Sequence, residues 1–247
     1  MAGFLRIPSE LHAFVFSCLG SADCRALASC CRSLHRWREY AWRTIEVRSS
    51  TTVALADTLR MLNRALASDK RLGAMIRKLY IREPHGQPDH LVVDTPQLDV
   101  LLANLLNSAP GLTTFLLDAP RGRKGPYTLT LEAMRSLPLV ERISLGRVTG
   151  SRDHRIALPM SSNKLRSVII SWACDIDVGA VIRNQRLLEY LHIEPCLYPE
   201  PDPNIGIGWV ELKKLSMGFD YEYDLDEAWS EWIAIVDTAL VSTYNAF

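Results

Sequence analysis

The sequence predicts an α/β fold in which short parallel strands alternate with helices, preceded by three helices at the amino terminus. Two observations predict it. An apolar pattern, L-x-x-L-x-L with other aliphatic residues allowed at the L positions, recurs from residue 76 onward. Stretches with helical periodicity separate most of its copies, and such alternation is typical of a parallel sheet. The 247 residues, 48% of them apolar, suffice for a large core.

The first helix is expected over residues 8–19. Pro8 suits a first helical turn, and Gly20 is a common helix terminator. Apolar residues at i, i+3 and i+4 spacing predict one buried stripe on this helix: Leu11, Phe14, Val15, Cys18 and Leu19. Ile7 and Phe16 lie off that stripe, so we expect them to contact a neighbouring surface.

A second helix is expected over residues 24–31, with Ser21 as its cap and Asp23 in its first turn. A third is expected over residues 33–40, and Trp42 follows it. Three helices in about 40 residues bury too little apolar surface to be stable alone. The module is therefore predicted to pack against another surface, within the chain or outside it.

Several short sequences in this region follow one another in a characteristic order: Ile7-Pro8, Glu10-Leu11, Asp23, Cys31-Arg32 and Trp42-Arg43. As a set, over about residues 5–47, they resemble the F-box. Cys24 and Leu34 stand where that family usually has leucine and tryptophan, and both keep an apolar group. The resemblance implies docking on the Skp-type adaptor of a cullin–RING ubiquitin ligase. The adaptor-binding residues that it implies are Ile7, Pro8, Leu11, Val15, Leu19, Leu27, Cys31 and Trp42.

The apolar pattern starts at residues 76, 112, 140, 165, 188 and 212, so its later copies lie 23–28 residues apart. This spacing falls within the period of about 20–29 residues of leucine-rich repeats, which the region resembles in irregular form. Helices are expected over residues 53–68, 96–110, 129–137 and 178–190. We therefore predict an F-box domain at 1–47 and an irregular leucine-rich-repeat solenoid at 48–247. The solenoid either ends in a capping helix at 224–247 or is truncated at its carboxyl end.

Side chains alternate along a strand, so the residues between the pattern positions should form an outward-facing row. That row is Tyr80, Leu116, Ser144, Ile169, His192 and Ser216. Its expected flanking residues include Lys78, Arg82, Arg142, Tyr190 and Lys214. From this surface and the loop after the fourth repeat we predict the target-binding residues Tyr80, Leu116, Ile169, Trp172, Tyr190 and His192.

Composition excludes several other classes of function. The 28 basic and 28 acidic residues balance, so no global field favours nucleic acid or an anionic membrane. No apolar run approaches the roughly 18 residues of a membrane span, and no secretory signal is recognisable, so we expect a cytoplasmic or nuclear protein. The six cysteines form no C-x-x-C pair, so zinc is disfavoured and buried free thiols are expected. Residues 146–163 and 194–208 are expected to be surface loops.

No cofactor, metal or catalytic motif is recognisable, so we expect a non-catalytic protein. The favoured interpretation is a substrate receptor of an SCF-type ubiquitin ligase, bound to the adaptor and to an unidentified target protein. The alternative is a leucine-rich-repeat scaffold whose first helices only cap the solenoid. A weaker hypothesis is a hydrolase with Cys174 as nucleophile and His192 as base.

Overall fold

In the computed structural model, the described residues are 8–35, 37–84, 94–119, 127–148, 156–157, 161–171, 176–177, 185–193 and 214–217. The helices within these ranges are α1 (Ser9–Cys18), α2 (Ser21–Ser29), α3 (Arg32–His35), a 3-10 helix (Arg38–Trp42), α4 (Thr52–Ser68), α5 (Lys70–Met75), α6 (Thr95–Asn107) and α7 (Thr128–Arg135). The strands are β1 (Thr44–Arg48), β2 (Lys78–Arg82), β3 (Thr114–Asp118), β4 (Arg142–Gly146), β5 (Ile156–Ala157), β6 (Ser167–Ser171), β7 (Ile176–Asp177), β8 (Tyr190–Ile193) and β9 (Lys214–Met217).

In the described part of the chain, seven strands form one parallel sheet in the order β1-β2-β3-β4-β6-β8-β9, and β5 pairs with β7 in a separate two-stranded sheet. When only the strands of the large sheet are counted, strands that lie next to each other in the sheet also follow each other along the chain. Parallel neighbours require a crossover, and α4, α6 and α7 lie in the first crossovers. The α/β class with alternating strands and helices is therefore confirmed.

The apolar pattern forms the core as expected. In the first five copies every pattern residue except Ile193 is buried, and Ile193 packs against the same core. The core continues into α4, α6 and α7, which cover one face of the sheet through residues such as Leu59, Leu102 and Met134. The sixth copy forms β9, as expected, although the burial of its side chains lies outside the described residues. The expected helices 53–68, 96–110 and 129–137 correspond to α4, α6 and α7.

A repeated backbone arrangement sets the register of the strands. The carbonyl oxygen of Arg43 accepts two N–H groups, those of Arg77 and Lys78, both at 2.9 Å. The carbonyl of Arg77 accepts in the same way from the next copy of the pattern, and equivalent pairs of bonds recur at Thr113, Glu141 and Arg166. Because both lone pairs of each carbonyl are used, each copy fixes the position of the next.

The sheet begins earlier than the sequence predicted. β1 crosses the expected domain boundary at residue 47, and its Ile45 and Val47 pair in register with Leu79 and Ile81. Trp42 packs on the core of the sheet, so Trp42, Ile45 and Val47 form a further copy of the pattern. The signal was missed because a tryptophan stands at the first pattern position, where only aliphatic residues were allowed.

Two buried polar side chains connect segments that are distant in the chain. The carboxylate of Asp99 in α6 is buried and accepts the backbone N–H groups of Leu129 (2.9 Å) and Thr130 (2.7 Å). These N–H groups lie in the first turn of α7, where no intrahelical acceptor exists, so α6 caps α7. Buried Gln185 accepts from the N–H of Leu165 and donates to the carbonyl of Ser162, at 3.3 and 2.8 Å.

The amino-terminal helices have a small core of their own, formed by Phe16, Cys24, Ala28, Leu34 and Ala41. The three expected helices are present with shifted ends: α2 starts at Ser21 instead of residue 24, and α3 is a single turn followed by the 3-10 helix. The 3-10 helix joins the two cores, because Ala41 belongs to the small core whereas Trp42 packs on the core of the sheet.

Two other expectations need correction, and one helix was not expected. Residues 185–189 form a turn and β8 starts at Tyr190, so the helix expected over 178–190 does not extend to its predicted end. The expected loop 146–163 contains β5, and Val148 and Ser162 are buried. The helix α5 was not predicted. The expected loop 194–208 and helix 224–247 lie outside the described residues.

Candidate docking surfaces

Helix α1 is apolar on two sides, and the small core buries the Phe16 side and not the stripe that was expected to be buried. Phe16 is 1% exposed and His12 is 5% exposed. Leu11 and Phe14 are 50% and 65% exposed, Cys18 is also exposed, and Val15 is half-buried. The apolar stripe that the sequence predicted to face the core therefore lies largely on the solvent-exposed side of α1. We call Leu11, Phe14, Val15 and Cys18 the α1 stripe.

Aromatic packing decides which side of α1 is buried. The ring of Phe16 stacks on Trp37 with centroids 5.9 Å apart, and Tyr40 lies 6.0 Å from it in a tilted arrangement. Trp37 and Tyr40 contact each other edge to face at 5.5 Å. The thiol of Cys24 donates to the carbonyl of Phe16 at 3.3 Å. Aromatic pairs of this kind stabilise beyond their buried area, and all of them meet on the Phe16 side.

The structure places the eight residues that the resemblance implies for adaptor binding in different environments. Ile7 lies outside the described residues, Pro8 and Leu11 are exposed, and Val15 is half-buried. Leu19, Leu27 and Cys31 are half-buried and pack against the small core. Trp42 packs on the core of the sheet, away from that group. Phe14, which was expected on the buried face, is the most exposed large apolar side chain described, and it is not among the residues that the resemblance implies for adaptor binding.

The cysteines also differ from expectation. Cys24 is buried, but Cys18 and Cys30 are exposed and Cys31 is half-buried. Burial raises the pKa of the Cys24 thiol, Asp23 raises it further, and Arg43 opposes the shift. Cys174 and Trp172 lie outside the described residues, so the arrangement of Cys174 and His192 is not defined. Among the residues described, no group of three or more His, Cys, Asp or Glu is placed to hold a metal ion.

The open face of the sheet carries the predicted row in full register. The backbone partners run Glu46, Tyr80, Leu116, Ser144, Ile169, His192 and Ser216 across the seven strands. The side chains from Tyr80 to His192 are half-buried, whereas Glu46 is exposed. A second row, two residues earlier in each strand, contains Lys78, Arg142, Tyr190 and Lys214. We call this surface the sheet face.

A shallow cavity lies at the carboxyl ends of β2, β3, β4 and β6. Its volume is about 260 Å³, and it is lined by Arg82, Leu116, Asp118, Ser144, Gly146, Arg147 and Ser171. The Asp118 carboxylate lies close to Gly146: a Cβ added at Gly146 would be 2.7 Å from the Oδ1 atom of Asp118. Arg147 has a positive φ of 58° and places its Nη1 3.5 Å from the same carboxylate. This cavity is therefore polar, and Asp118 already neutralises one of its two arginines.

No helix in the described ranges has the length and apolar character needed to cross a membrane. No protein-family model matches the chain, and no curated protein sequence matches it.

Proposed function

We propose that the protein is a non-catalytic substrate receptor of an SCF-type cullin–RING ubiquitin ligase. Its amino-terminal helices dock on a Skp-type adaptor, and its sheet face holds a target protein. The receptor raises the effective concentration of the target near the ubiquitin-carrying enzyme, so it needs no catalytic group. The repeats then form an irregular leucine-rich-repeat solenoid behind an F-box.

The exposure of the α1 stripe carries the proposal. Leu11 and Phe14 lie one turn apart on a helix of ten residues, at the part of the chain that resembles the F-box. The other exposed large apolar residues described are spread over residues 53–139: Val53, Met61, Val100, Leu129 and Leu139. Exposed apolar side chains scattered singly are ordinary, whereas a cluster indicates an interaction site.

A second function, a repeat scaffold without an adaptor, is favoured by a different observation. The 3-10 helix places Trp42 on the core of the sheet, next to the first strand of the sheet. The edge of a parallel sheet carries unpaired backbone groups, and natural proteins cover such edges. In this alternative the amino-terminal helices protect that edge and the α1 stripe binds nothing.

Co-purification of the full chain with a Skp-type adaptor tests the proposal. The test variant is Leu11→Asp/Phe14→Asp, which places charges on the α1 stripe. The matched control is Leu129→Asp/Met61→Asp, because these two residues are 44% and 61% exposed and lie on α7 and α4. Size-exclusion chromatography of the mixtures measures the complex, and circular dichroism checks that both variants fold.

We expect a stable complex for the wild type and the control, and its loss for the α1 variant. Buried apolar contacts near the centre of an interface cost about 2 kcal/mol or more when removed, so each charge should weaken binding roughly 30-fold or more. A wild-type chain that elutes alone at tens of micromolar adaptor would favour the scaffold. Equal binding by both variants would exclude the α1 stripe as the docking site.

A further inference from the structure

We propose that the sheet face binds an extended acidic segment of the target protein. This inference rests on the proposed function in that it specifies the target-holding surface, but its physical basis is the sheet face and does not involve the adaptor. The segment is expected to carry acidic residues at set intervals, with apolar residues between them.

The first argument is charge. The strands of the large sheet carry two acidic residues, Glu46 and Asp118, and both have a basic partner. Glu46 pairs with Arg48 in its own strand, and Asp118 pairs with Arg147. Among the described residues, four further basic side chains of these strands form no ion pair: Lys78, Arg82, Arg142 and Lys214. Because the whole chain has 28 charges of each sign, this positive excess is local to the sheet face.

The second argument is geometry. Lys78, Arg142 and Lys214 occupy the same register position on β2, β4 and β9, and all three are exposed. With about 4.8 Å between strands, Lys78 and Arg142 lie roughly 10 Å apart and Arg142 and Lys214 roughly 14 Å apart. An extended peptide advances about 3.3 Å per residue. Because alternate side chains of an extended peptide point to opposite sides, positions i, i+4 and i+8 share one side at a spacing of roughly 13 Å. Acidic residues at these positions of a peptide that crosses the strands would face the three cations, and the flexible Lys and Arg side chains make up the remaining few ångströms.

The third argument is the apolar row beside these cations. Tyr80, Leu116 and Ile169 are half-buried and lie two residues further along their strands. The Nζ atom of Lys214 lies over the ring of Tyr190, 5.5 Å from the ring centroid. Apolar side chains of the segment can pack on this row while its carboxylates meet the cations. Single-stranded nucleic acid is disfavoured, because it prefers a continuous basic groove with aromatic stacking platforms, and Leu116 and Ile169 are aliphatic.

A displayed library of random dodecapeptides tests the inference on the isolated full chain. The library is selected in parallel against the wild type, against Lys78→Glu/Arg142→Glu/Lys214→Glu, and against a control with equal net charge. The control is Arg64→Glu/Arg71→Glu/Arg135→Glu, which reverses three exposed charges on α4, α5 and α7. Thermal melting is measured for all three proteins.

We expect the wild type and the control to enrich peptides with Asp or Glu at the spacing i, i+4, i+8, and the sheet-face variant to lose them. The enriched peptide, synthesised and measured by fluorescence anisotropy, should bind the sheet-face variant about tenfold or more weakly, because three ion pairs are replaced by repulsions. Its affinity should fall as salt rises, since exposed charges are screened. A glutamine version should bind weakly.

A phosphoserine version of the enriched peptide distinguishes the two sources of negative charge. Tighter binding than the glutamate peptide indicates a phosphorylated target, and weaker binding indicates carboxylates. The inference is overturned if selection yields no acidic enrichment, if the sheet-face variant enriches the same peptides, or if single-stranded RNA displaces the peptide at equal concentration. Because no adaptor is present, these outcomes are independent of adaptor binding, so each proposal can fail without the other.

Discussion

The amino-terminal helices and the sheet differ in how their cores are built. The core of the sheet repeats one pattern, so that each copy buries equivalent residues against the next. The core of the helices depends on one phenylalanine, Phe16, which packs against both Trp37 and Tyr40. The sheet thus distributes its stability over many similar contacts, whereas the helices concentrate theirs at one position. The helices also expose the α1 stripe, so their own small core covers only one apolar side of α1.

The largest effect is expected from Phe115→Ala in the centre of the sheet core. Phe115 is fully buried, so its truncation removes a large side chain and leaves a cavity. We expect a loss of about 3–5 kcal/mol in the free energy of unfolding, measured by urea titration with far-UV circular dichroism.

Leu116→Ala is the matched control, because this neighbouring residue of β3 points to the half-buried sheet face. Its truncation should cost about 1 kcal/mol or less. Equal losses for the two variants would contradict the division of β3 into a core face and an open face.

Phe16→Ala should loosen the helices and leave the sheet intact. The substitution removes the ring against which Trp37 and Tyr40 pack, and we expect a local loss of about 2–4 kcal/mol. Hydrogen exchange should show reduced protection in α1 and α2, with protection in β2–β4 unchanged.

Phe14→Ala on the same helix is the control, and it should change stability by about 0.5 kcal/mol or less, because Phe14 is 65% exposed. If Phe16→Ala reduced protection equally in the sheet, the two cores would be one cooperative unit and the contrast between them would fail.

Gly73→Ala tests the packing between two helices that cover the sheet. In a solvent-exposed helix, replacing glycine by alanine stabilises by about 1 kcal/mol. Here an added Cβ would lie 1.8 Å from the backbone oxygen of Ser108 at the end of α6, so α5 and α6 would have to separate. We expect a net loss of about 1–3 kcal/mol, read from the urea midpoint. A stabilised variant would show that α5 does not approach α6 this closely.

The smallest effect concerns the pH dependence of the helices. Burial raises the pKa of Cys24 above its ordinary value of 9.0, so the folded state retains the thiol proton that the unfolded state loses. The stability contributed by this thiol is therefore complete below pH 9.0 and is lost as the pH rises through the raised pKa.

A Cys24→Ala variant should lack this alkaline loss, which urea titrations of both proteins between pH 7 and 10 would detect. An identical pH dependence would place Cys24 in a solvated site. Labelling with iodoacetamide followed by mass spectrometry should also modify exposed Cys18 and Cys30 before Cys24.

The sequence predicted the sheet well but predicted the wrong buried side for α1, for a physical reason. The alternation of side chains along a strand is local, so Leu79, Ile81 and their equivalents could be assigned inward from the pattern alone. On α1, apolar residues occur on both sides, and helical periodicity cannot choose between them. The choice depends on Trp37 and Tyr40, which lie some twenty residues later in the chain. The resemblance to the F-box included Leu11 and Val15 but not Phe14.

By itself, the sequence determined the α/β class, the inward positions of the strands and the row of residues on the sheet face, because these follow from the two-residue period of an extended backbone. Only the tertiary structure decided that Phe16 is buried and Phe14 exposed, and that Trp42 packs on the sheet. It also decided that, within the described part of the chain, four basic side chains of the large sheet form no ion pair. Those outcomes depend on contacts between segments that are distant in the chain, and such contacts produce no periodic pattern in the sequence.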